Sequence, residues 1–394
     1  MIIKLLFWFS FFIVFYTYIG YGILIWGINF LKGIFSKAVD GISQDKFEPE
    51  VALIIAAFNE EDYIADKIKN TLELDYPKGK LHVYFITDGS NDSTPAIVAS
   101  HPQITLFHQP ERRGKAAAMN RAIQLVNEPF VVFCDANTML NLECIKEIIA
   151  PYAHPKVGAV AGEKKIFQPA AGKAASAGEG LYWKYESFLK KQDARLYSVV
   201  GAAGELFSVR RELYQPIETG VIIEDFVLSL RIAMKGYVVQ YAPGAYAMEA
   251  ASASIKEEQK RKVRICAGGF QAMVMLKGLF NIFRYGVLSF QYISHRVLRW
   301  SVTPVFLFLL FPLNLVLVFN RAGIIYDLSL AGQLLFYILG FTGWYYANRD
   351  VSVKALYVPY YFLFMNISVF AGFRRFIGGK QTVLWDKAAR EKIA

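Results

Sequence analysis

Hydrophobic and polar positions divide the chain into three stretches. Ile2 to Leu31 is almost wholly apolar, interrupted mainly by Lys4 and Asn29. It is longer than a signal-peptide core and has no small-residue cleavage site, so it predicts one tilted membrane-spanning helix carrying Trp8, Tyr16, Tyr18, Tyr21 and Trp26. From Val51 the pattern changes to short apolar runs alternating with helical stretches. Val51–Ala56, Leu81–Thr87, Ile104–Phe107 and Phe130–Cys134 read as strands. Phe130–Cys134, apolar without alternation, reads as buried on both faces. Asn59-Glu60-Glu61-Asp62 caps a helix running to about Leu74, and Gly114-Lys115 opens another. Strand, helix, strand in this order predicts an α/β domain with a parallel sheet of the Rossmann type. Beyond it, Leu279 to Arg299 mixes Phe, Tyr and Leu with Arg284, His295, Arg296 and Arg299, which suits helices lying in a membrane interface. Trp300–Phe319, Leu328–Ala347 and Ala355–Phe373 are three further spans, the first kinked by Pro304 and Pro312. The predicted divisions are a membrane helix over 1–32, a linker over 33–49, an α/β domain over 50–276, interface helices over 277–299, a membrane region over 300–373 and a basic tail over 374–394.

Composition sharpens this picture. Of 394 residues 55% are hydrophobic and 15% aromatic, too apolar for a purely soluble protein of this size. The formal net charge is +10, which in a membrane protein marks cytoplasmic flanks and contact with anionic lipid headgroups. No groove-reading motif is present, so nucleic acid is not expected as a partner. Cys134, Cys144 and Cys266 have no metal-ligand or disulfide spacing, which fits a reducing compartment. Lys32 and Lys37 after the first helix put the α/β domain in the cytoplasm. Three more crossings would then carry the tail outside, yet it holds Arg374, Arg375, Lys380, Lys387, Arg390 and Lys392. Either one apolar segment is re-entrant or interfacial, or the tail is an exception; of these we expect an extra partial crossing or re-entrant segment.

Candidate chemistry gathers at the strand ends. In an open α/β sheet ligands collect past the carboxyl ends of the strands, and three acid-bearing turns follow strands here, at Asn59-Glu60, Asp88 and Asp135. Asp135 and Asn137, two apart, are oxygen ligands suited to a hard divalent cation; taken alone, they more readily describe a strand followed by an Asx turn. Asp88 suits a base or ribose, or a plain Gly-containing turn. Lys115 at a helix start suits a diphosphate, or water. No Walker-type glycine loop and no complete dinucleotide fingerprint is present, which disfavours ATPase and dehydrogenase readings. Tyr182, Trp183 and Tyr185 suit stacking on a sugar as well as core packing.

The ordered set Ala57-Phe58-Asn59-Glu60, Asp88-Gly89-Ser90, Arg113-Gly114-Lys115 with Asn120, Asp135-Ala136-Asn137 and Glu224-Asp225 resembles the membrane-bound family 2 glycosyltransferases, whose members include cellulose, hyaluronan and poly-N-acetylglucosamine synthases. The resemblance runs from about Val51 to Gly269. It implies a GT-A fold that binds a nucleotide-sugar, usually with UDP, together with Mg2+ or Mn2+. By that analogy Asn59, Glu60 and Asp88 serve the nucleoside and Lys115 the diphosphate, while Asp135 sits at the metal-binding triplet. Asp225, with Glu224 beside it, is the general base, and Gly201 and Gly204 belong to a turn facing the acceptor. Two departures stand out. Asn137 replaces the second acid of many relatives. The Gln-x-x-Arg-Trp motif of polymerising relatives reads Arg261-Lys262-Val263-Arg264-Ile265, which keeps two arginines on one helical face for the diphosphate and loses the Trp. The expectation is a multi-pass, inverting transferase of the cell membrane with its catalytic domain cytoplasmic. It would extend a polysaccharide, with a single addition to a lipid-linked acceptor as the alternative, and a non-catalytic nucleotide-sugar-binding subunit as a third reading; export or assembly subunits would be further partners.

Overall fold

A computed structural model describes residues 1–35, 47–167, 174–250, 252, 254–349, 351 and 353–379. Lys37 in the linker and the tail from Lys380, with Lys387, Arg390 and Lys392, lie outside the described residues.

The N-terminal apolar stretch forms α1 (Ile2–Phe15) and α2 (Tyr21–Phe35), joined through a π turn at Tyr16–Gly20. The α/β domain follows as β1 (Val51–Ala57), α3 (Ile64–Leu72), β2 (Leu81–Asp88), α4 (Thr94–Ala99), β3 (Thr105–Gln109), α5 (Lys115–Leu125), β4 (Phe130–Asp135), β5 (Thr138–Leu140), α6 (Cys144–Ile149), β6 (Val157–Phe167), α7 (Ala174–Leu196), β7 (Leu206–Arg210), α8 (Glu224–Met234) and β8 (Val238–Ala250). One eight-stranded sheet has the order β3-β2-β1-β4-β7-β6-β8-β5. Its first four strands are parallel, with Ala56 beside Asp135 at the shared carboxyl end. β7 is antiparallel between β4 and β6, which the reading of a parallel sheet did not include.

The sheet is covered on both faces, which is why its central strands are continuous apolar runs. Ile64, Ile68, Val98 and Ile145 from α3, α4 and α6 pack with Leu53, Ile55 and Val132. On the other face Met119 of α5 and Val227 and Leu230 of α8 pack with Ile54, Val131 and Phe133.

The remainder comprises α9 (Ile255–Met275), α10 (Ile282–Tyr285), α11 (Val287–Tyr292), α12 (Leu298–Trp300), α13 (Val302–Phe319), α14 (Ile324–Ala347) and α15 (Lys354–Ile377). The stretch expected to lie in the interface packs one face, with Leu279, Leu288, Tyr292 and Val297, into the core of the α/β domain. Its other side presents Phe280, Ile282, Val287 and a 96% exposed Phe283. The first downstream span starts at Val302 rather than Trp300, because the backbone breaks at Ser301 (φ −135°, ψ −74°). Trp300 thereby turns onto α9, where a Cβ at Gly269 would lie 2.7 Å from its ring. The second span starts at Ile324 rather than Leu328, and the third reaches Ile377. Among the described residues four helices are long and apolar enough to cross a membrane: Ile2–Ile34, Val302–Phe319, Ile324–Ala347 and Ala355–Ile377.

α15 differs from the other three. It lies along the charged helix α9 in the same direction. Ile255 packs on the cluster of Tyr357, Tyr360 and Phe364, and the Tyr361 hydroxyl donates to Glu258 Oε1 at 3.2 Å. Gly372 meets α9 so closely that a Cβ there would stand 2.9 Å from Ala267 N. Phe270 stacks against Phe373 and Phe376, at 4.9 and 6.1 Å between ring centroids.

Candidate active site

The carboxyl ends of β1 and β4 open into a cavity of about 670 Å³ that continues down to Tyr18, Phe362 and Met365. Lys115 organises its polar end. As the first residue of α5 it follows Gly114, whose φ of 91° suits glycine. Its Nζ donates to Asp135 Oδ1 at 2.5 Å and to the Gly204 carbonyl at 3.1 Å, and lies 3.4 Å from Glu224 Oε1. Burial alone would pull this ammonium toward deprotonation, but Asp135, Glu224 and Asp225 outweigh it and hold its pKa above the ordinary lysine value.

Glu224 and Asp225 open α8, their negative charge complementing its N-terminus. A Cβ on Gly204 would lie 3.0 Å from Lys115 Nζ and 3.4 Å from Asp225 Oδ2, so a larger residue there would press on both side chains. Burial, and then the neighbouring Glu224, push the Asp225 carboxyl up to about 7 against the pull of Lys115. A carboxylate with that affinity for a proton is matched to general-base work near neutral pH.

The other expected residues separate into wall and support. Glu60, Asn137, Arg261 and Arg264 line the cavity with Lys115, Asp135, Gly204 and the two acids of α8. Arg261 also meets Glu258 through Nε at 3.0 Å. Asn59, at φ 52°, is a clasp: its side chain exchanges hydrogen bonds with Asn91 and its N–H donates to Ser90 Oγ. Asp88 Oδ2 accepts from the N–H groups of Arg113 and Gly114, at 3.0 and 2.6 Å, and so sets the turn that launches Lys115. Its Oδ1 is buried without a hydrogen-bond partner among the described residues. Gly201, at φ 84°, stands behind the wall, where any Cβ would overlap the Phe226 ring; it shapes the turn rather than touching the cavity.

Several wall residues escaped the sequence reading. Glu205 bonds Lys164 at 2.6 Å, and although burial opposes its ionisation, Lys164 holds its pKa well below the usual carboxylate range. Glu186 and Lys190 of α7 face Arg296 and Arg299 across the same space. His295, read as an interface residue, is buried between Asp193 Oδ2 at 2.6 Å and Glu186 Oε1 at 3.4 Å. The signal for this group was a polar stripe on α7, where Glu186, Lys190 and Asp193 recur at helical spacing.

The family described as "Glycosyltransferase like family 2" matches residues 49–268, more than half of the chain. This chain belongs to that family. Curated relatives of this family 2 glycosyltransferase include the poly-beta-1,6-N-acetyl-D-glucosamine synthase of Staphylococcus aureus (strain MSSA476), 27% identical over 250 residues, which are 61% of this chain and 58% of the relative. That of Staphylococcus epidermidis is 24% identical over 280 residues, 68% of this chain and 66% of the relative. The chain thus spans about 58% of the length of the Staphylococcus aureus relative. Its fold is similar to the mannosyltransferase PcManGT from Pyrobaculum calidifontis in complex with GDP-Man and Mn2+, with a TM-score of 0.71 and 21% identity over 95% of this chain and 99% of that one. The family 2 assignment and the mixed α/β GT-A fold are therefore as the residue motifs implied.

Proposed function

We propose that the chain transfers a sugar from a nucleoside-diphosphate donor, UDP-linked by our reading, to a growing glycan, with inversion at the anomeric carbon. The observation that carries this is the meeting of Asp225 with Lys115, Asp135 and Glu224 on one wall of one cavity. Displacing a nucleoside diphosphate requires a nucleophile relieved of its proton and a leaving group whose charge is neutralised. Asp225 takes the proton from the acceptor hydroxyl. A hydroxyl so activated on the face opposite the leaving group gives direct displacement and inversion. Arg264, in the field of Glu224, Asp135 and Asp225, and Arg261 on the same helix are placed to receive the diphosphate.

A divalent cation fits the donor set. Asp135 keeps 29% of its side chain exposed while Lys115 engages Oδ1, and Asn137 lines the cavity beside it. One carboxylate and one amide make an incomplete cage, and no group of three His, Cys, Asp or Glu side chains able to hold a metal occurs among the described residues. That is the pattern of Mg2+ or Mn2+, which are held by one or two carboxylates together with substrate phosphates and water. The ion would be held by Asp135 with Asn137, and would supply charge neutralisation at the diphosphate. The purified full chain with Mn2+ is expected to release nucleoside diphosphate from one member of a panel of UDP- and GDP-sugars, and EDTA is expected to suppress this. Absence of binding and hydrolysis across the panel refutes the proposal. Product mass separates polymer from single addition; Ile265 in the cavity wall, in place of a Trp, keeps single addition to a lipid-linked acceptor as the second reading.

We also infer that the chain crosses the membrane three times and that α15 lies in the cytoplasmic interface. What supports this is its run alongside α9, whose Lys256, Glu257, Glu258, Lys260, Arg261, Lys262 and Arg264 cannot enter hydrocarbon together. The topology then keeps the basic tail on the catalytic side, in accord with the positive-inside rule. A cysteine-reactive, membrane-impermeant label on a C-terminal tag is expected to react only after cells are opened. Labelling of intact cells would return α15 to a full crossing.

A further inference from the structure

Away from Lys115 and Asp225 the cavity wall contains one cation that neither the donor nor the base explains. Lys190 of α7 is 2% exposed, lines the cavity, and its Nζ has no hydrogen-bond partner among the described residues. Its close neighbour is the Trp183 ring, 5.4 Å from Nζ. Burial lowers its pKa from the ordinary lysine value, the first sign that the site is not built for this side chain alone. Burying an amine or ammonium without a hydrogen-bond acceptor is costly.

The neighbourhood decides what kind of acceptor is missing. Glu186 is already satisfied by Arg296 and by Arg299, the latter at 3.0 Å. Glu205 and Glu249 share Lys164. Glu163 accepts from Ser187 at 2.5 Å and also from Tyr241. Five carboxylates, Glu163, Glu186, Asp193, Glu205 and Glu249, thus stand against four cations, Lys164, Lys190, Arg296 and Arg299, with His295 between Asp193 and Glu186. With no surplus of positive charge, an entering anion would be in excess, and the ligand that completes Lys190 is neutral and rich in oxygen. The surfaces beside it are aromatic: Tyr182, Trp183 and Tyr185 line the same space. Aromatic rings edged by buried N–H donors, with Lys164 and Lys190 over Trp183 and Lys262 over Tyr182, match a pyranose, which offers C–H faces and hydroxyl or amide oxygens. The subsite also adjoins the base. Gly204 touches Asp225, Glu205 follows it and bonds Lys164, and Lys164 Nζ lies 5.0 Å from the Trp183 ring.

We propose that Lys190 and the aromatic wall around Trp183 form a subsite for a neutral saccharide unit of the acceptor. This rests on the glycosyltransferase reading of the cavity and adds to it the class of acceptor and the residue that senses it. Ile265 leaves α9 without the Trp of polymerising relatives, and α7 provides the aromatic surface instead.

The test is direct binding by calorimetry to the detergent-solubilised full chain, with no donor present. Probes are tetrasaccharides of β-linked glucose and of β-linked N-acetylglucosamine, and a uronate-bearing tetrasaccharide for comparison. The parent is expected to bind a neutral probe more tightly than the uronate-bearing one. Lys190→Met is expected to weaken the neutral probe by roughly tenfold or more, as for a lost hydrogen bond to a charged donor. Its Tm and far-UV spectrum establish that the variant is folded, and its nucleoside-diphosphate affinity serves as the control. A purely structural lysine would lower Tm and leave saccharide affinity alone, and unchanged saccharide affinity overturns the proposal. So would preference for the uronate-bearing probe, absence of binding of both neutral probes by the parent, or an equal loss of nucleoside-diphosphate affinity. Because no donor is used, failure of nucleotide-sugar hydrolysis would refute the transferase reading without touching this measurement.

Discussion

Replacing Asp225 with Asn will lower kcat for sugar transfer by roughly 10³-fold, the upper part of the range for loss of a positioned general base. Nucleoside-diphosphate affinity should stay within about threefold, because the amide keeps the shape of the side chain. Normal turnover in this variant would remove Asp225 from the base role. The parent should show a matching pH dependence. Its kcat/KM should rise through about pH 7, where the Asp225 carboxyl releases its proton. The sign for stability is opposite. The folded state holds this proton more tightly than the unfolded chain, so the group's contribution is complete below the ordinary aspartate pKa and is lost as pH rises through about 7. Asp225→Asn should therefore be more stable than the parent in alkaline buffer, with the gap closing toward about pH 4. Thermal unfolding at the two ends of that range checks it.

Replacing Lys115 with Met will cost more than a single contact. Lys115 bonds Asp135 and Gly204 and faces Glu224, so its loss leaves three acids crowded without their cation. Since Lys115 lowers the Asp225 pKa, that pKa should move above 7 in the variant. Activity at neutral pH should fall by roughly 100-fold or more, with partial recovery under alkaline conditions as Asp225 is deprotonated. Nucleoside-diphosphate binding should weaken by about tenfold, in line with one lost charge-assisted contact. An unshifted acid limb in the rate profile would show that Lys115 does not set the base.

The half of the sheet that carries the donor side was written openly in the residues. β1 and β4 are continuous apolar runs because helices cover both faces, and their carboxyl ends carry Asn59-Glu60 and Asp135. The antiparallel half was not. β7 is five residues long with Ser208 in its centre, and in the first half of β6 Gly158, Ala159, Ala161 and Gly162 dilute the strand character of Val157 and Val160. What no linear pattern encodes is adjacency across the sheet. The ion pair of Lys115 with Asp135 exists because β1 lies between β2 and β4, bringing the start of α5 beside the end of β4. Lys164, Glu186 and Lys190 were missed for another reason. Charged residues in a strand and a long helix read as solvent-facing, and it is Arg296 and Arg299, more than a hundred residues away, that offset the burial of Glu186.

The close packing of Gly372 on α9 bears on the order in which the molecule is made. Residues matching the family end at 268, yet Tyr357, Tyr361, Met365, Val369 and Arg375 of α15 complete the cavity wall. During synthesis Asp225, Lys115, Arg261 and Arg264 are therefore made before the last wall exists. Enclosure of the site depends on residues made well after those it encloses. A chain that stopped short of α15 would leave the sheet and Asp225 facing a cavity open on that side.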